Sequence, residues 1–125
     1  MKNIISTDSA PSAIGPYSQA VKINNTLFTS GQIAINPDTG QLELDNIDDE
    51  TKRVMLNLKA VLAAAELDFK DVVKTSIFLK DMDDFDAVNL VYASFFSTDF
   101  PARETVQVAK LPKNVNVEIS MIAFG

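Results

Sequence analysis

Val54, Leu58, Val61, Leu62 and Ala65 fall at i, i+4, i+7, i+8 and i+11, which draws one apolar stripe down the side of a helix. A helix with a single apolar stripe must lay it on a second layer. Asp48, Asp49 and Glu50 stand near its start, where negative charge meets the positive end of the helix dipole. The stretch that follows, VVKTSIFL at 72–79, is dense in β-branched side chains and predicts a strand. A second helix is expected from about Met82 to Phe96, with Phe85, Val88, Tyr92 and Phe95 on its inner side and Asp81 as N-cap. The layer beneath the stripe is therefore a sheet.

The remaining strands fit around that unit. YSQAVKI (17–23) and TLFTS (26–30) flank Asn24 and Asn25, and Asn tolerates the positive φ of a two-residue hairpin. Gly31 ends the second strand or lets another group approach its backbone. INPDTGQLE (35–43) is a turn-rich loop, and strands are expected at about 103–109 and 115–123, joined by LPKN. The order is thus β-β-α-β-α-β-β, to which Asn3–Ser6 adds a short leading strand. Helices after single strands imply crossovers on one face of a sheet, an α+β fold in one domain over residues 1–125.

Strand alternation then suggests where chemistry collects. With LPKN as a hairpin loop, Lys110 faces Val115, Gln107 faces Glu118 and Thr105 faces Ser120. Val106, Val108, Val115 and Val117 would meet the helices, while Arg103, Thr105 and Glu118 line the opposite surface. Arg103 and Glu118 would lie roughly 13 Å apart at the backbone, leaving a small-molecule gap.

Composition narrows the chemistry. The 125 residues include no Cys, His or Trp, so the usual N/S zinc sites and Ser-His-Asp or Cys-His centres are excluded. The net charge of −6, with 11 scattered Lys and Arg, disfavours nucleic acid as partner. No apolar run approaches a membrane span, and the first residues lack the apolar stretch of a signal peptide, so the cytoplasm is the expected location.

Five stretches carry a resemblance: AIGPYSQA at 13–20, FTSGQI at 28–33, VNLVYASFF at 88–96, PARETVQVAKLP at 101–112 and VNVEISMIA at 115–123. In this order and spacing they resemble the Rid (YjgF) family of reactive-intermediate deaminases across nearly the whole chain. The resemblance implies a chorismate-mutase-like fold, a mixed six-stranded sheet with two helices on one face. It also implies a homotrimer around a central barrel, with clefts between subunits. The implied activity is hydrolysis of 2-imino acids such as 2-iminopropanoate and 2-iminobutanoate, tautomers of enamines such as 2-aminoacrylate. Pyridoxal-phosphate-dependent serine and threonine dehydratases release those enamines. The products are a 2-oxo acid and ammonia, and neither cofactor nor metal takes part.

Carried over residue by residue, the resemblance makes Arg103 the carboxylate-binding arginine and Glu118 the water-positioning acid. It places Ser30, Gly31, Tyr17 and Asn89 at the cleft. Thr105 stands where the family often has cysteine and still offers a small hydroxyl. Glu104 stands where a small residue is common; it faces either solvent, a subunit seam, or Arg103 itself as a competing ion-pair partner. The loop STDF at 97–100 is shorter than usual for the family.

These residue types suit that reaction. A guanidinium offers a planar fork that matches a carboxylate in two hydrogen bonds, and fixing the carboxylate fixes the reacting carbon. A glutamate can take a proton from attacking water. Plainer readings stand beside these: a surface ion pair for Arg103, a solvated strand residue for Glu118, a buried Asn serving local backbone at 89, an interface aromatic at Tyr17, and strand-end punctuation at Ser30 and Gly31. The alternative functions are a non-catalytic regulator that binds 2-oxo acids, and a ribonuclease or translation inhibitor.

Overall fold

The computed structural model describes all 125 residues. Its strands are β1 (Lys2–Ile5), β2 (Ala20–Ile23), β3 (Thr26–Thr29), β4 (Val72–Leu79), β5 (Ala102–Gln107) and β6 (Val117–Phe124). Two helices, α1 (Ile47–Ala64) and α2 (Phe85–Ala93), complete the α+β fold. The six strands form one mixed sheet in the order β1-β2-β3-β6-β4-β5, antiparallel throughout except for the parallel pair β4–β5.

The local reasons are those of the sequence. Ile23 pairs with Thr26, so Asn24 and Asn25 form the two-residue turn, with Asn24 at φ 51°. Asn46 caps α1 by accepting from the Asp49 N–H at 2.8 Å. Val54, Leu58, Val61 and Leu62 are fully buried. They pack over β6, whose Val117, Ile119 and Ala123 are fully buried as well. Each such Leu or Ile contributes ~1.5–3 kcal/mol by leaving water.

The second helix departs from its expected span. Asp81 caps a 3-10 turn at Met82–Asp84, and α2 ends at Ala93. Phe95 and Phe96 then continue as an aromatic cluster edge-on to Phe69, with centroids 5.5 and 5.4 Å away.

The expected β5–β6 hairpin does not form. LPKN holds a 3-10 turn over Pro112–Asn114 with Lys113 and Asn114 at φ 53° and 56°, and the chain crosses the end of β4. Lys80 donates to the Asn116 carbonyl and Val108 to that of Leu79. β4, α2 and β5 make one β-α-β unit, so β5 pairs with β4 and becomes an edge strand, while β6 sits between β3 and β4. None of the pairs Lys110–Val115, Gln107–Glu118 or Thr105–Ser120 exists.

The facing of residues changes accordingly. The register sets Arg103 beside Thr75 and Met121, and Thr105 beside Ile77 and Ile119, all on the helix side. Val106 lies beside Phe78 and Glu118 on the side without helices. Arg103 and Thr105 therefore share the helix face, and Glu118 projects from the opposite one. The expectation that all three line one surface is overturned.

Candidate functional site

Arg103 lies at the sheet's edge, where α2 overhangs β5. Phe85, Asn89 and Tyr92 recur at i, i+4 and i+7 of α2, so all three turn toward it. The guanidinium donates from Nη1 to Asn89 Oδ1 at 2.6 Å. It also lies over the Phe85 and Tyr92 rings, 5.6 and 5.3 Å from their centroids. Tyr92 is itself fixed, its hydroxyl donating to Thr75 Oγ1 at 2.9 Å in the interior. Burial holds the Tyr92 phenol above its usual pKa, offset by the Thr75 hydroxyl and the Arg103 charge.

No carboxylate pairs with Arg103. Glu104 points to the other face, where Lys74 Nζ meets its carboxylate at 3.0 Å and the Ser76 hydroxyl donates to it. Those two partners, Ser76 first, hold the Glu104 carboxyl below its usual pKa. Of the roles considered for Glu104, competition for the guanidinium does not occur.

Only one donor of the guanidinium fork is used within the chain. The fork borders a cleft of about 410 Å³ walled by Asn89, Tyr92, Ala93, Phe100 and Pro101. Thr105, two residues along the same edge, keeps a hydroxyl with no hydrogen-bond partner. Phe85 and Tyr92 lie on the inner side of α2 as expected; their place at Arg103 follows from the same helical spacing that marks Asn89.

The second half of the candidate set lies across the sheet. Glu118 is half-buried, and desolvation lifts its carboxyl above the usual pKa. Its side chain lies against Gly31, where any Cβ would stand 2.8 Å from Glu118 Cδ and 3.0 Å from Cγ. The missing Cβ at 31 is thus what leaves room for the Glu118 carboxyl in this position. The Gly31 N–H has no partner within the chain. Ser30 is tied down on both sides, its hydroxyl donating to the Ser18 carbonyl at 2.5 Å and its N–H to the Gln19 carbonyl at 2.9 Å.

Tyr17 follows Gly15, which sits at φ 125°, on a loop clamped by Gln19. The Tyr17 ring is half exposed. One group of candidates, Arg103, Thr105 and Asn89, thus gathers at the helix-side edge. Glu118 and Gly31 meet on the other side of the sheet, and Ser30 adjoins Gly31.

Two strand steps and three residue steps separate Arg103 from Glu118, roughly 14 Å at the backbone, with the sheet itself between their side chains. One chain does not bring them to one ligand.

A family model described as Endoribonuclease L-PSP matches residues 7–124. The chain belongs to the Rid (YjgF) family. This Rid protein is 49% identical over 124 residues to a RutC family protein of Pyrococcus horikoshii, covering 99% of this chain and 98% of the relative. It is 46% identical over 124 residues to the human 2-iminobutanoate/2-iminopropanoate deaminase, covering 99% and 90%. The crystal structure of Escherichia coli TdcF with bound serine superposes with a TM-score of 0.95 at 42% identity, covering 98% of each chain.

Proposed function

We propose that this Rid protein hydrolyses 2-imino acids with small side chains, 2-iminopropanoate and 2-iminobutanoate, to 2-oxo acids and ammonia. The observation that carries the reading is Arg103: oriented by Asn89 and two rings, free of any acidic partner, and open to a cleft. The names of relatives and the serine bound to TdcF support it, because serine and an imino acid share a carboxylate beside a nitrogen-bearing carbon.

In this reading Arg103 clasps the substrate carboxylate through its unused N–H groups, and the free Thr105 hydroxyl and Gly31 N–H orient the remaining polar atoms. Water attacks the C=N carbon while Glu118 accepts its proton. The nitrogen is protonated, the C–N bond breaks, and ammonia leaves as the carbonyl forms. Burial lifts the Glu118 pKa above that of an ordinary carboxyl, which makes it a better proton acceptor, and the same carboxyl can take a proton and return it.

Since Arg103 and Glu118 lie on opposite faces of one sheet, the site is completed between copies: the β5 edge of one meets the Gly31–Glu118 surface of another. Assembly as a homotrimer with three such clefts is part of the proposal. It is supported by the apolar row Ile4–Val21–Phe28–Ile122 on the helix-free face, where Ile4 and Phe28 are 56% and 45% exposed. The acidic balance and the lack of histidine weigh against a ribonuclease.

The test couples a dehydratase that generates the enamine to ammonia detection. The protein is expected to speed ammonia release, and Arg103→Ala to lower that rate by at least about 100-fold with the fold intact. Undiminished activity in Arg103→Ala ends this reading.

A further inference from the structure

Among the fully buried polar residues of helix α1, Glu50 and Asn57 stand seven positions apart and reach other segments of the chain. Glu50 reaches across to the start of β6. Its Oε2 accepts from the backbone N–H groups of Asn116 at 2.7 Å and Val117 at 3.3 Å, and its Oε1 accepts from Asn116 Nδ2 at 2.7 Å. No lysine or arginine pairs with it. A carboxylate wholly out of water with no cation is costly to keep, and is sustained only where N–H donors converge on it. Its position in the first turn of α1 does not require this, because the helix is already capped by Asn46.

Asn57 grips the other half of the same region. Its Nδ2 donates to the carbonyls of Ile33 at 3.1 Å and Ile35 at 3.0 Å, just beyond Gly31. The two gripped segments are also bonded to each other, Gln32 N–H to the Ile119 carbonyl at 2.8 Å and Ile119 N–H to the Gln32 carbonyl at 3.2 Å. Glu118 lies between the Glu50 anchor and that bridge, with its side chain against Gly31.

We infer that Glu50 is a positioning residue for Glu118. By fixing the backbone at 116 and 117 it sets where the Glu118 carboxyl lies against Gly31, and hence its solvation and its aim at substrate. The inference rests on the catalytic role assigned to Glu118 in the proposed function.

A charge swap tests it in the full-length protein. Glu50→Ala removes all three contacts and is expected to lower turnover per competent site by on the order of 10- to 100-fold. Competent sites are counted by the stoichiometry of 2-oxobutyrate binding, which a lost active fraction would lower and a displaced Glu118 would not. Glu50→Gln keeps an acceptor for the backbone N–H groups, and Asn116 can turn its oxygen to the new amide, so turnover should stay within about threefold of wild type. Asn116→Asp sets two carboxylates face to face and should behave like Glu50→Ala. Combining it with Glu50→Gln restores a donor–acceptor match and should recover most of the loss, an outcome that decides the matter even if Glu50→Ala does not fold.

Turnover per site that is unchanged in Glu50→Ala and Asn116→Asp, or that is not recovered by the double variant, overturns the inference. The titration of the Glu118 carboxyl, followed by carbon-detected NMR, gives a readout independent of activity. Its midpoint should depart from wild type in Asn116→Asp and return in the double variant; an unmoved midpoint overturns the positioning role. If the wild-type protein releases no ammonia, the proposed function fails, and this titration still judges Glu50.

Discussion

On the helix side of the sheet, Leu79, Val117 and Ile119 have no exposed surface; on the other side, Ile4, Phe28 and Phe124 remain about half bare. The same alternating strands produce both faces, so the difference lies in what covers them. α1 and α2 close one face, and the other lacks a layer. The two candidate reacting groups follow this division. Arg103 uses the helix side, where Phe85, Asn89 and Tyr92 aim and partly desolvate it. Glu118 uses the bare side, where Gly31 leaves room for its carboxyl. A sheet with one bare face thus keeps the two groups apart in a lone chain; under the proposed function it is association between chains that joins them.

The largest expected effect comes from removing the acid on the bare face. Glu118→Gln should lower turnover by ~10²–10⁴-fold while sparing 2-oxobutyrate binding, since the carboxylate anchor is on the other face. It should also change stability with a definite sign. A carboxyl whose folded pKa is raised contributes stability below its unfolded pKa and loses it as pH rises through the folded value. Glutamine has no such loss. Glu118→Gln should therefore melt above wild type at neutral pH, with the gain fading as pH falls below the ordinary carboxylate range, as read by melting curves across pH.

Gly31→Ala is a finer probe of the same face. The new methyl group collides with the flexible Glu118 side chain rather than with backbone, so the fold should persist while Glu118 is pushed aside. A fall in turnover on the order of 10²-fold with little change in melting temperature is expected from parallel kinetic and thermal measurements. Equal activity would mean that the Gly31–Glu118 contact does not matter to the reaction.

The smallest effect belongs to the covered face. Tyr92→Phe keeps the ring beside Arg103 and deletes the hydrogen bond to buried Thr75, at a cost of about 1 kcal/mol in denaturant unfolding. Affinity for 2-oxobutyrate should barely change. A large loss of affinity would show that the phenol hydroxyl, rather than the ring, organises the arginine.

Much of this was legible in the residues. The apolar stripe of α1, the β-branched run of β4 and the Asn24–Asn25 turn each have one physical solution, and the structure adopts it. The position of β5 departs from expectation, because LPKN suits a hairpin loop joining neighbours in sequence. The competing signal was present: a strand, a helix and a strand in succession favour a crossover between parallel neighbours, as β4 and β5 are. That single choice of partner reversed which side of the sheet Arg103 faces. Glu50 stands in the first turn of α1 as expected, but its reach was hidden for a different reason. An acid in the first turn of a helix is adequately explained by the dipole, and nothing local reveals that its oxygens reach residues 116 and 117.

The central claim is that Arg103 and Glu118 act together only across a boundary between copies. Arg103→Ala and Glu118→Gln chains, each inactive alone, can be unfolded together, refolded as a mixture and assayed for ammonia release. If the site spans two copies, about a quarter of the clefts regain both groups and activity returns to roughly that fraction of wild type. If both groups serve one site within a single chain, the mixture stays as inactive as its parts, and the account is contradicted.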